Sequence, residues 1–288
     1  MIPATFEYHR AASVQEALNL MGQYGEDAKL LAGGHSLIPI MKLRFARYAH
    51  LIDISRLEKL KTIRNEGQTI VIGAMTTHRM IETSGLIKAK IPVLSEAARQ
   101  IGGGVQIRNM GTIGGNLSHA DPVADFPPAI LVTEAELVLQ SLSQKRTVKA
   151  EDFFFGMFTT AIQPDEMLVE IRVNLPEEPT GSCYLKFAHP ASGFAVVGCA
   201  ASVTLNDGIC KAAKVAFSGI SAKPFRDSAI EEELNGNYLD EATIVSTSQK
   251  AAEGVELFSD RFASEDYRRH LAKVYAKRAL LRAVANIR

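Results

Sequence analysis

Two glycine-rich segments constrain this chain more than any other feature of its sequence. They are Ala32-Gly33-Gly34-His35-Ser36 and Thr112-Ile113-Gly114-Gly115-Asn116, eighty positions apart, and each follows an apolar run. Adjacent glycines let a backbone adopt positive φ and approach a ligand closely, and a loop that opens onto a helix points free N–H groups at an anion. Two such segments predict a ligand with two phosphates.

The residues around the segments strengthen this prediction. Residues 29–32 are typical of a short buried strand, and Ser36 before Leu37-Ile38-Pro39 is typical of a capped helix start. After the second segment come Asn116, Ser118, Asp121 and Asp125, whose side chains suit the hydroxyls of a ribose or ribityl chain. Either segment alone is more often a tight strand-to-helix turn than a ligand site. Neither matches the dinucleotide or P-loop pattern, so the residues alone predict a nucleotide-like anion.

Taken together, the motifs resemble a known family. They comprise Ala-Gly-Gly-His-Ser with Leu-Ile-Pro-Ile-Met-Lys at 32–42, Gln-Ile-Arg-Asn-Met-Gly at 106–111, Thr-Ile-Gly-Gly-Asn at 112–116, and then Asp121-Pro122 and Asp125. Their order and separation resemble the FAD-binding subunit of the molybdenum hydroxylases, which includes the FAD domain of xanthine dehydrogenases. The similarity is strongest to the medium subunit of aerobic carbon monoxide dehydrogenases, and it runs the whole length of the chain.

The resemblance implies an α+β fold. It implies a two-lobed FAD-binding domain of the vanillyl-alcohol-oxidase/PCMH type, and a C-terminal α+β domain with a small antiparallel sheet and helices. The segment Pro176-Glu177-Glu178-Pro179-Thr180-Gly181 has two prolines and a glycine with no apolar period, which favours a linker. We therefore expect an FAD-binding domain at 1–176, with lobes at about 1–57 and 58–176, and a domain at 177–288 that closes over the flavin.

The resemblance also assigns residues to the cofactor. It implies that residues 32–36 bind the pyrophosphate, that 112–116 bind pyrophosphate and ribityl, and that Lys186 and Phe194 lie at the flavin ring. The implied FAD-binding residues are Ala32, Gly33, Gly34, His35, Ser36, Leu37, Thr112, Ile113, Gly114, Gly115, Asn116, Ser118, Asp125, Lys186 and Phe194. No catalytic residue and no metal ligand is expected on this chain.

Three of these interpretations have plain structural alternatives. His35 is equally well explained as a histidine that only satisfies its turn. Without the resemblance, Phe194 is better explained as an ordinary core aromatic. The basic residues Lys42, Arg44 and Arg47 could neutralise a pyrophosphate, but a basic stripe of this kind is more typical of a solvated helix face.

Charge and cysteine content exclude several functions. The chain has 288 residues with 32 basic and 32 acidic side chains, which gives no electrostatic footprint for nucleic acid or an anionic membrane. Neither a membrane span of about twenty apolar residues nor a signal peptide is present, so we expect a cytoplasmic protein, or one held at the inner face of the membrane through a complex. Cys183, Cys199 and Cys210 are too scattered for an iron–sulfur or zinc site and are expected to be buried.

Local patterns predict most of the regular elements. Ser13-Val14-Gln15-Glu16 predicts a capping box for a helix that ends at Gly25, and Asn65-Glu66-Gly67-Gln68 predicts a hairpin turn. The other predicted helices lie at about 92–101 and 126–133, and the chain after residue 217 is predicted to be helical to its end, with the last helix beginning near Ser264. The predicted strands lie at about 29–32, 51–54, 61–64, 69–72, 136–141, 146–149, 167–173, 183–187, 195–205, 210–211 and 214–217.

The resemblance implies a role in electron transfer. An iron–sulfur small subunit with [2Fe-2S] clusters and a molybdenum large subunit with the molybdenum cofactor would be partners, as a dimer of heterotrimers. A self-sufficient flavin oxidoreductase and a non-enzymatic nucleotide-binding regulator remain alternatives. Two segments depart from the family pattern. They are residues 118–120, and residues 187–192 with Pro190, which follow Lys186. They leave the substrate (carbon monoxide, an aldehyde, a purine or an N-heterocycle) and the final acceptor open.

Overall fold

The first lobe is a small parallel sheet covered by a helix. The computed structural model describes residues 2–287. The strands have the order β1-β3-β2, and their carboxyl ends share one edge, from which residues 32–36 emerge. The elements of this lobe are β1 (Glu7–Arg10), α1 (Val14–Tyr24), β2 (Ala28–Leu31), α2 (Leu37–Lys42) and β3 (His50–Asp53).

The second lobe packs helices on a five-stranded antiparallel sheet with the order β4-β5-β10-β6-β7. Its core is centred on Phe126, Phe153 and Ile72, all fully buried. The elements are β4 (Ile63–Glu66), β5 (Thr69–Gly73), α3 (His78–Thr83), α4 (Gly85–Lys90), α5 (Pro92–Gln100), α6 (Gly104–Met110), α7 (Ile113–His119), α8 (Phe126–Val132), β6 (Glu136–Gln140), β7 (Lys145–Lys149), the hairpin β8 (Phe154–Gly156) and β9 (Thr159–Thr160), and β10 (Met167–Asn174).

The C-terminal part is a four-stranded antiparallel sheet with the order β11-β12-β13-β14. A second core forms where the last helix packs on this sheet, with Val197, Phe217 and Ala276 fully buried. The elements are β11 (Thr180–Ala188), β12 (Ala195–Asn206), β13 (Ile209–Ser218), β14 (Phe225–Arg226), α9 (Ser228–Leu234), α10 (Glu241–Thr247) and α11 (Glu265–Ala285), and short 3-10 turns occur at Gly25–Asp27, Glu58–Leu60, Ala150–Asp152 and Ser248–Lys250.

The opposite face of the C-terminal sheet packs on the second lobe. Tyr184 of β11 is fully buried there and belongs to the second lobe's core. Its backbone N–H donates to Glu96 Oε2 at 2.8 Å, and its carbonyl accepts from Gln100 Nε2 at 2.9 Å. Because these bonds join β11 to α5 at both backbone polar groups, the two parts are held in a defined register.

The predicted α+β architecture is confirmed, including the helix that ends at Gly25 and a hairpin between β4 and β5. The turn of that hairpin is Gly67-Gln68, because Asn65 and Glu66, which were predicted in the turn, lie in β4 and pair with β5. Ser13 caps α1 by accepting from the Glu16 N–H, and Ser264 caps α11 in the same way through Tyr267. The three cysteines are buried as expected. Within residues 2–287, no helix combines the length and the apolar character that a membrane crossing requires.

Three further local expectations are wrong, and three helices were missed. Ser36 precedes α2 but accepts no capping hydrogen bond. Gly114 and Gly115 lie inside the first turn of α7, because the Thr112 side chain caps that helix through the Gly115 N–H. Residues 209–218 form one strand, since antiparallel pairing to β12 continues across them despite a bulge. The helices α3, α4 and α6 were not predicted, because each is too short to show a full apolar period.

Candidate functional site

The tertiary structure brings the two glycine segments into contact. A Cβ atom built on Gly33 would overlap the carbonyl oxygen of Met110 and would lie 2.9 Å from Gly111 Cα. On the other side of the junction, a Cβ on Gly115 would lie 3.8 Å from the Cβ of Ala32. Only glycine at position 33 allows the two backbones to approach so closely.

The first segment presents unused hydrogen-bond donors. Within residues 2–287, the backbone N–H groups of residues 33–37 donate to no protein acceptor. Gly34 has φ +71°, a left-handed conformation that turns the backbone between β2 and α2. Successive amides around such a turn form a concave site for an anion. Five free amides in a row therefore suit the oxygens of a phosphate or diphosphate.

His35 stabilises this turn through its side chain. Its Nδ1 lies 2.7 Å from the carbonyl oxygen of Gly33, and the residue is exposed. The structure thus shows the turn-satisfying role directly, and leaves the His35 backbone N–H free for a ligand.

The second segment contributes in a different way from the first. Its amides are already bonded within the protein, Ile113 N–H to Thr76 O, Gly114 N–H to Ala74 O and Gly115 N–H to Thr112 Oγ1, at 3.0, 2.8 and 3.1 Å. The expectation that both segments offer free amides is therefore wrong for the second. These bonds fix α7 against residues 74–77, and leave the exposed Gly115 beside the first segment.

Asn116 supplies an acceptor that the protein does not use. Its Oδ1 is buried and has no hydrogen-bond partner within residues 2–287. A buried acceptor without a partner costs roughly 1–3 kcal/mol, so such an atom is typical of a binding site. A ligand hydroxyl would satisfy it. Ser118, one turn after Gly115 on α7, is exposed. These residues fit the sugar part of a flavin dinucleotide.

His78 was missed by the sequence analysis, although it lies between the two segments. Its ring packs on Gly111, where a Cβ atom would come 2.7 Å from His78 Cδ2, and its Nδ1 is buried without a partner. Burial lowers the pKa of His78 to about 3, helped by the positive charges of His35 and Arg108. The imidazole is therefore neutral. Only the helix-capping Thr77 before it marked the position in the sequence.

A buried ion pair lies where β11 meets the second lobe. Lys186 Nζ lies 2.9 Å from Asp125 Oδ1, and the two side chains are 3% and 4% exposed. The ammonium also donates to the carbonyl oxygens of Gln100 and Gly193, at 2.5 and 2.8 Å, and Tyr184 donates its hydroxyl to Asp125 at 2.7 Å. Burial raises the pKa of Asp125, and the Lys186 charge and the Tyr184 hydroxyl oppose that rise.

Phe194 ends a tight turn that packs against the same region. The turn is closed by His189 N–H to Phe194 O and Gly193 N–H to His189 O, both at 2.8 Å. Gly102 approaches it so closely that a Cβ there would lie 2.8 Å from Ser192 O. Phe194 itself is 51% exposed, so the alternative of a core aromatic is wrong. β11 ends at Ala188, two residues before Pro190, whose missing N–H cannot continue the strand pairing.

Other candidate residues lie outside this arrangement. Lys42, Arg44 and Arg47 are exposed and form no ion pair within residues 2–287. Asp121 accepts from the Val123 N–H at 3.0 Å and so stabilises its own turn.

Comparison with known proteins identifies the family. A model of the FAD binding domain in molybdopterin dehydrogenase matches residues 4–176. This chain belongs to that family of FAD-binding subunits. A model of the CO dehydrogenase flavoprotein C-terminal domain also matches residues 182–283 of this FAD-binding subunit.

Individual relatives agree over the full length of the FAD-binding subunit. It is 40% identical over 280 residues to the carbon monoxide dehydrogenase medium chain of Hydrogenophaga pseudoflava, 97% of each chain. It is 36% identical over 291 residues to the 6-hydroxypseudooxynicotine dehydrogenase complex subunit alpha of Paenarthrobacter nicotinovorans, 100% of this chain and 97% of the relative. A solved carbon monoxide dehydrogenase structure from Hydrogenophaga pseudoflava superposes with a TM-score of 0.96 at 41% identity, over 100% of both chains.

The resemblance inferred from the glycine segments is thereby confirmed, as is the prediction of an FAD-binding medium subunit of an oxidoreductase. The five free amides, the unsatisfied Asn116 Oδ1 and the glycine junction form a site that fits the cofactor of this FAD-binding subunit.

Proposed function

We propose that this chain is the FAD-binding electron-transfer subunit of a molybdenum-containing hydroxylase or dehydrogenase. The observation that carries the proposal is the junction of the two glycine segments, where five consecutive amides lack an acceptor within residues 2–287. Bound FAD supplies the electron exchange between a donor and an external acceptor. The chain's own residues bind and orient it and need no catalytic base.

The diphosphate end of the site is formed by the first segment. Amides of residues 33–37 donate to diphosphate oxygens, Gly115 leaves room for them, and Asn116 Oδ1 accepts from a ligand hydroxyl. The full set assigned to the cofactor is Ala32, Gly33, Gly34, His35, Ser36, Leu37, Thr112, Ile113, Gly114, Gly115, Asn116, Ser118, Asp125, Lys186 and Phe194.

The ring end is formed by the C-terminal part. Lys186 acts on the ring by its positive charge. Because the negative charge of Asp125 lies beside it, the electrostatic potential at the ring depends on both residues. Phe194 offers an exposed aromatic face for stacking, which contributes about 0.5–1.5 kcal/mol beyond burial. This division corresponds to an FAD-binding domain at 1–176, with lobes 1–57 and 58–176, and a domain at 177–288 that closes over the flavin.

The electrons come from other subunits. We assign an iron–sulfur small subunit with [2Fe-2S] clusters and a molybdenum large subunit as partners, in a dimer of heterotrimers located in the cytoplasm. The three cysteines of this chain are buried free thiols and too few for a four-cysteine cluster, which argues against an iron–sulfur donor of its own.

The medium subunit leaves the substrate to its partners. Relatives named for carbon monoxide and for 6-hydroxypseudooxynicotine are 40% and 36% identical to this chain. The sequence of the medium subunit therefore does little to distinguish one substrate from the other. The chemistry that distinguishes these substrates therefore belongs to the molybdenum subunit.

Flavin content of matched glycine variants tests the proposed site. Gly115 and Gly85 are both exposed glycines in the first turn of a helix, but only Gly115 lies beside the first glycine segment. In complexes purified with their partners, Gly115→Val should lose most of the flavin absorbance, and Gly85→Val should keep about one flavin per chain. Equal flavin content in both variants would contradict the assignment.

Turnover separates the proposal from its alternatives. The chain alone should show no activity with carbon monoxide, aldehydes or purines, and should co-purify in equal amounts with an iron–sulfur protein and a molybdenum protein. Substrate turnover by a single chain free of iron and molybdenum would favour a self-sufficient oxidoreductase. Binding of adenine nucleotides without flavin colour would favour a regulator.

A further inference from the structure

A second cluster of ligand-type side chains lies at the opposite end of the first lobe's sheet. Glu7 and His9 alternate on β1, so both project from one face, and Glu7 is paired in register with His50 of β3. Glu7 and His50 begin their strands and His9 lies two residues further along β1, whereas the glycine segment follows the carboxyl end of β2. The cluster is therefore separate from the proposed FAD site.

The three side chains direct their polar atoms toward one point. His9 Nε2 lies 3.1 Å from His50 Nδ1, and Glu7 Oε2 lies 3.4 Å from His50 Nδ1 and 3.8 Å from His9 Nε2. A tetrahedral zinc ion with bonds of about 2.0–2.1 Å separates its ligands by about 3.3 Å. The observed triangle has nearly these edges, and its donor set of two imidazoles and a carboxylate is one that zinc uses.

The imidazoles are held in place from behind. The Tyr24 ring stacks on His50 with 3.7 Å between centroids and 13° between planes, and also on His9 at 5.0 Å. The two histidine side chains are 21% and 17% exposed, whereas Glu7 is 72% exposed. The two histidines are therefore pre-oriented as ligands, and Glu7 approaches from the solvent-exposed side. Water can occupy the fourth coordination position on that side.

We propose that Glu7, His9 and His50 bind a divalent transition metal ion, with Zn²⁺ as the best fit. The ion joins the edge strand β1 to the central strand β3, so its effect is to stabilise the first lobe. Since a ligand that binds only the folded state raises stability by mass action, the metal should raise the melting temperature of the chain.

Metal titration of the full chain tests this site. After EDTA treatment and dialysis, isothermal titration with Zn²⁺ should give one site per chain, and Co²⁺ should give the strong visible bands of tetrahedral coordination. His9→Ala and His50→Ala should each weaken Zn²⁺ binding at least roughly 100-fold, more than the loss of an outer-shell partner does. Glu7→Gln should weaken it less, because an amide oxygen is still a ligand. The buried cysteines do not compete.

His270→Ala is the matched control, since His270 is an exposed histidine on α11 outside the cluster. It should bind Zn²⁺ as the unaltered chain does, with the same rise in melting temperature. Circular dichroism confirms that each variant folds. The proposal is overturned if the unaltered chain binds no stoichiometric Zn²⁺, or if His9→Ala and His50→Ala, both folded, bind it with unchanged affinity.

Discussion

Gly33 lies directly against the backbone of Met110, so that a Cβ atom on Gly33 would come 2.8 Å from the Met110 carbonyl carbon and would overlap its oxygen. This contact joins segments that are far apart in the sequence. It makes the geometry of the free amides at 33–37 depend on the position of α6, the helix that ends at Met110.

Gly33→Ala tests this junction. Because the added methyl group meets backbone atoms that cannot move alone, we expect a loss of about 1–3 kcal/mol in the free energy of unfolding together with weaker FAD binding. Urea unfolding and flavin content measure the two effects. Gly156→Ala is the control, since a Cβ there meets nothing within 4 Å. Identical behaviour of the two variants would contradict the role of the contact.

Asn116→Leu should affect stability and binding in opposite directions. The substitution removes a buried acceptor that has no partner, so the FAD-free protein should be as stable as before or more stable by up to about 1 kcal/mol. The same change removes a bond to the ligand, so the dissociation constant for FAD should rise roughly tenfold. Unfolding curves and fluorescence titration with FAD check both. A variant that loses stability yet binds FAD normally would show that Asn116 is purely structural.

Lys186→Met should reveal the electrostatic role of the ion pair. It leaves Asp125 buried without its cation, which should cost about 3 kcal/mol of unfolding free energy and should lower the reduction potential of bound flavin. Potentials are measured by dye equilibration of the flavin-containing complex.

The double variant Lys186→Met with Asp125→Asn is the control for that experiment. It removes both charges, so the potential should return toward the original value even though the lysine is absent. A potential that is unchanged in the single variant rules out the electrostatic role, and one that falls equally in both variants assigns the effect to Lys186 alone.

His78 should make stability fall in acid. Burial holds its folded pKa at about 3, whereas an unfolded histidine takes up a proton near pH 6.5. Between these values the unfolded state binds the extra proton, so this group lowers the free energy of unfolding by up to about 1.4 kcal/mol per pH unit as pH falls. Urea unfolding from pH 7 to pH 5 should show a shallower loss for His78→Gln. Parallel curves for the two proteins would disprove the assignment.

The sequence was informative where local pattern decides structure. Ser13 and Gly25 predicted the two ends of α1, Ser264 predicted the start of α11, and alternation identified most strands. Short helices such as α6 were not predicted, because seven residues show no clear apolar period and the stability of such helices comes from tertiary packing. His78 was not predicted for a related reason, since its burial and its lowered pKa depend on residues distant from it in the sequence.

The sequence by itself determined the family, the α+β architecture and the two glycine segments that we assign to the cofactor. Only the tertiary structure decided which segment has free amides. The carbonyls of Ala74 and Thr76 accept from the first amides of α7, whereas the amides of residues 33–37 have no protein acceptor among the residues that the structure describes. The tertiary structure also decided that Lys186 faces Asp125, and that Glu7, His9 and His50 converge. Each of these outcomes rests on contacts between residues distant along the chain, and local sequence patterns carry no record of such contacts.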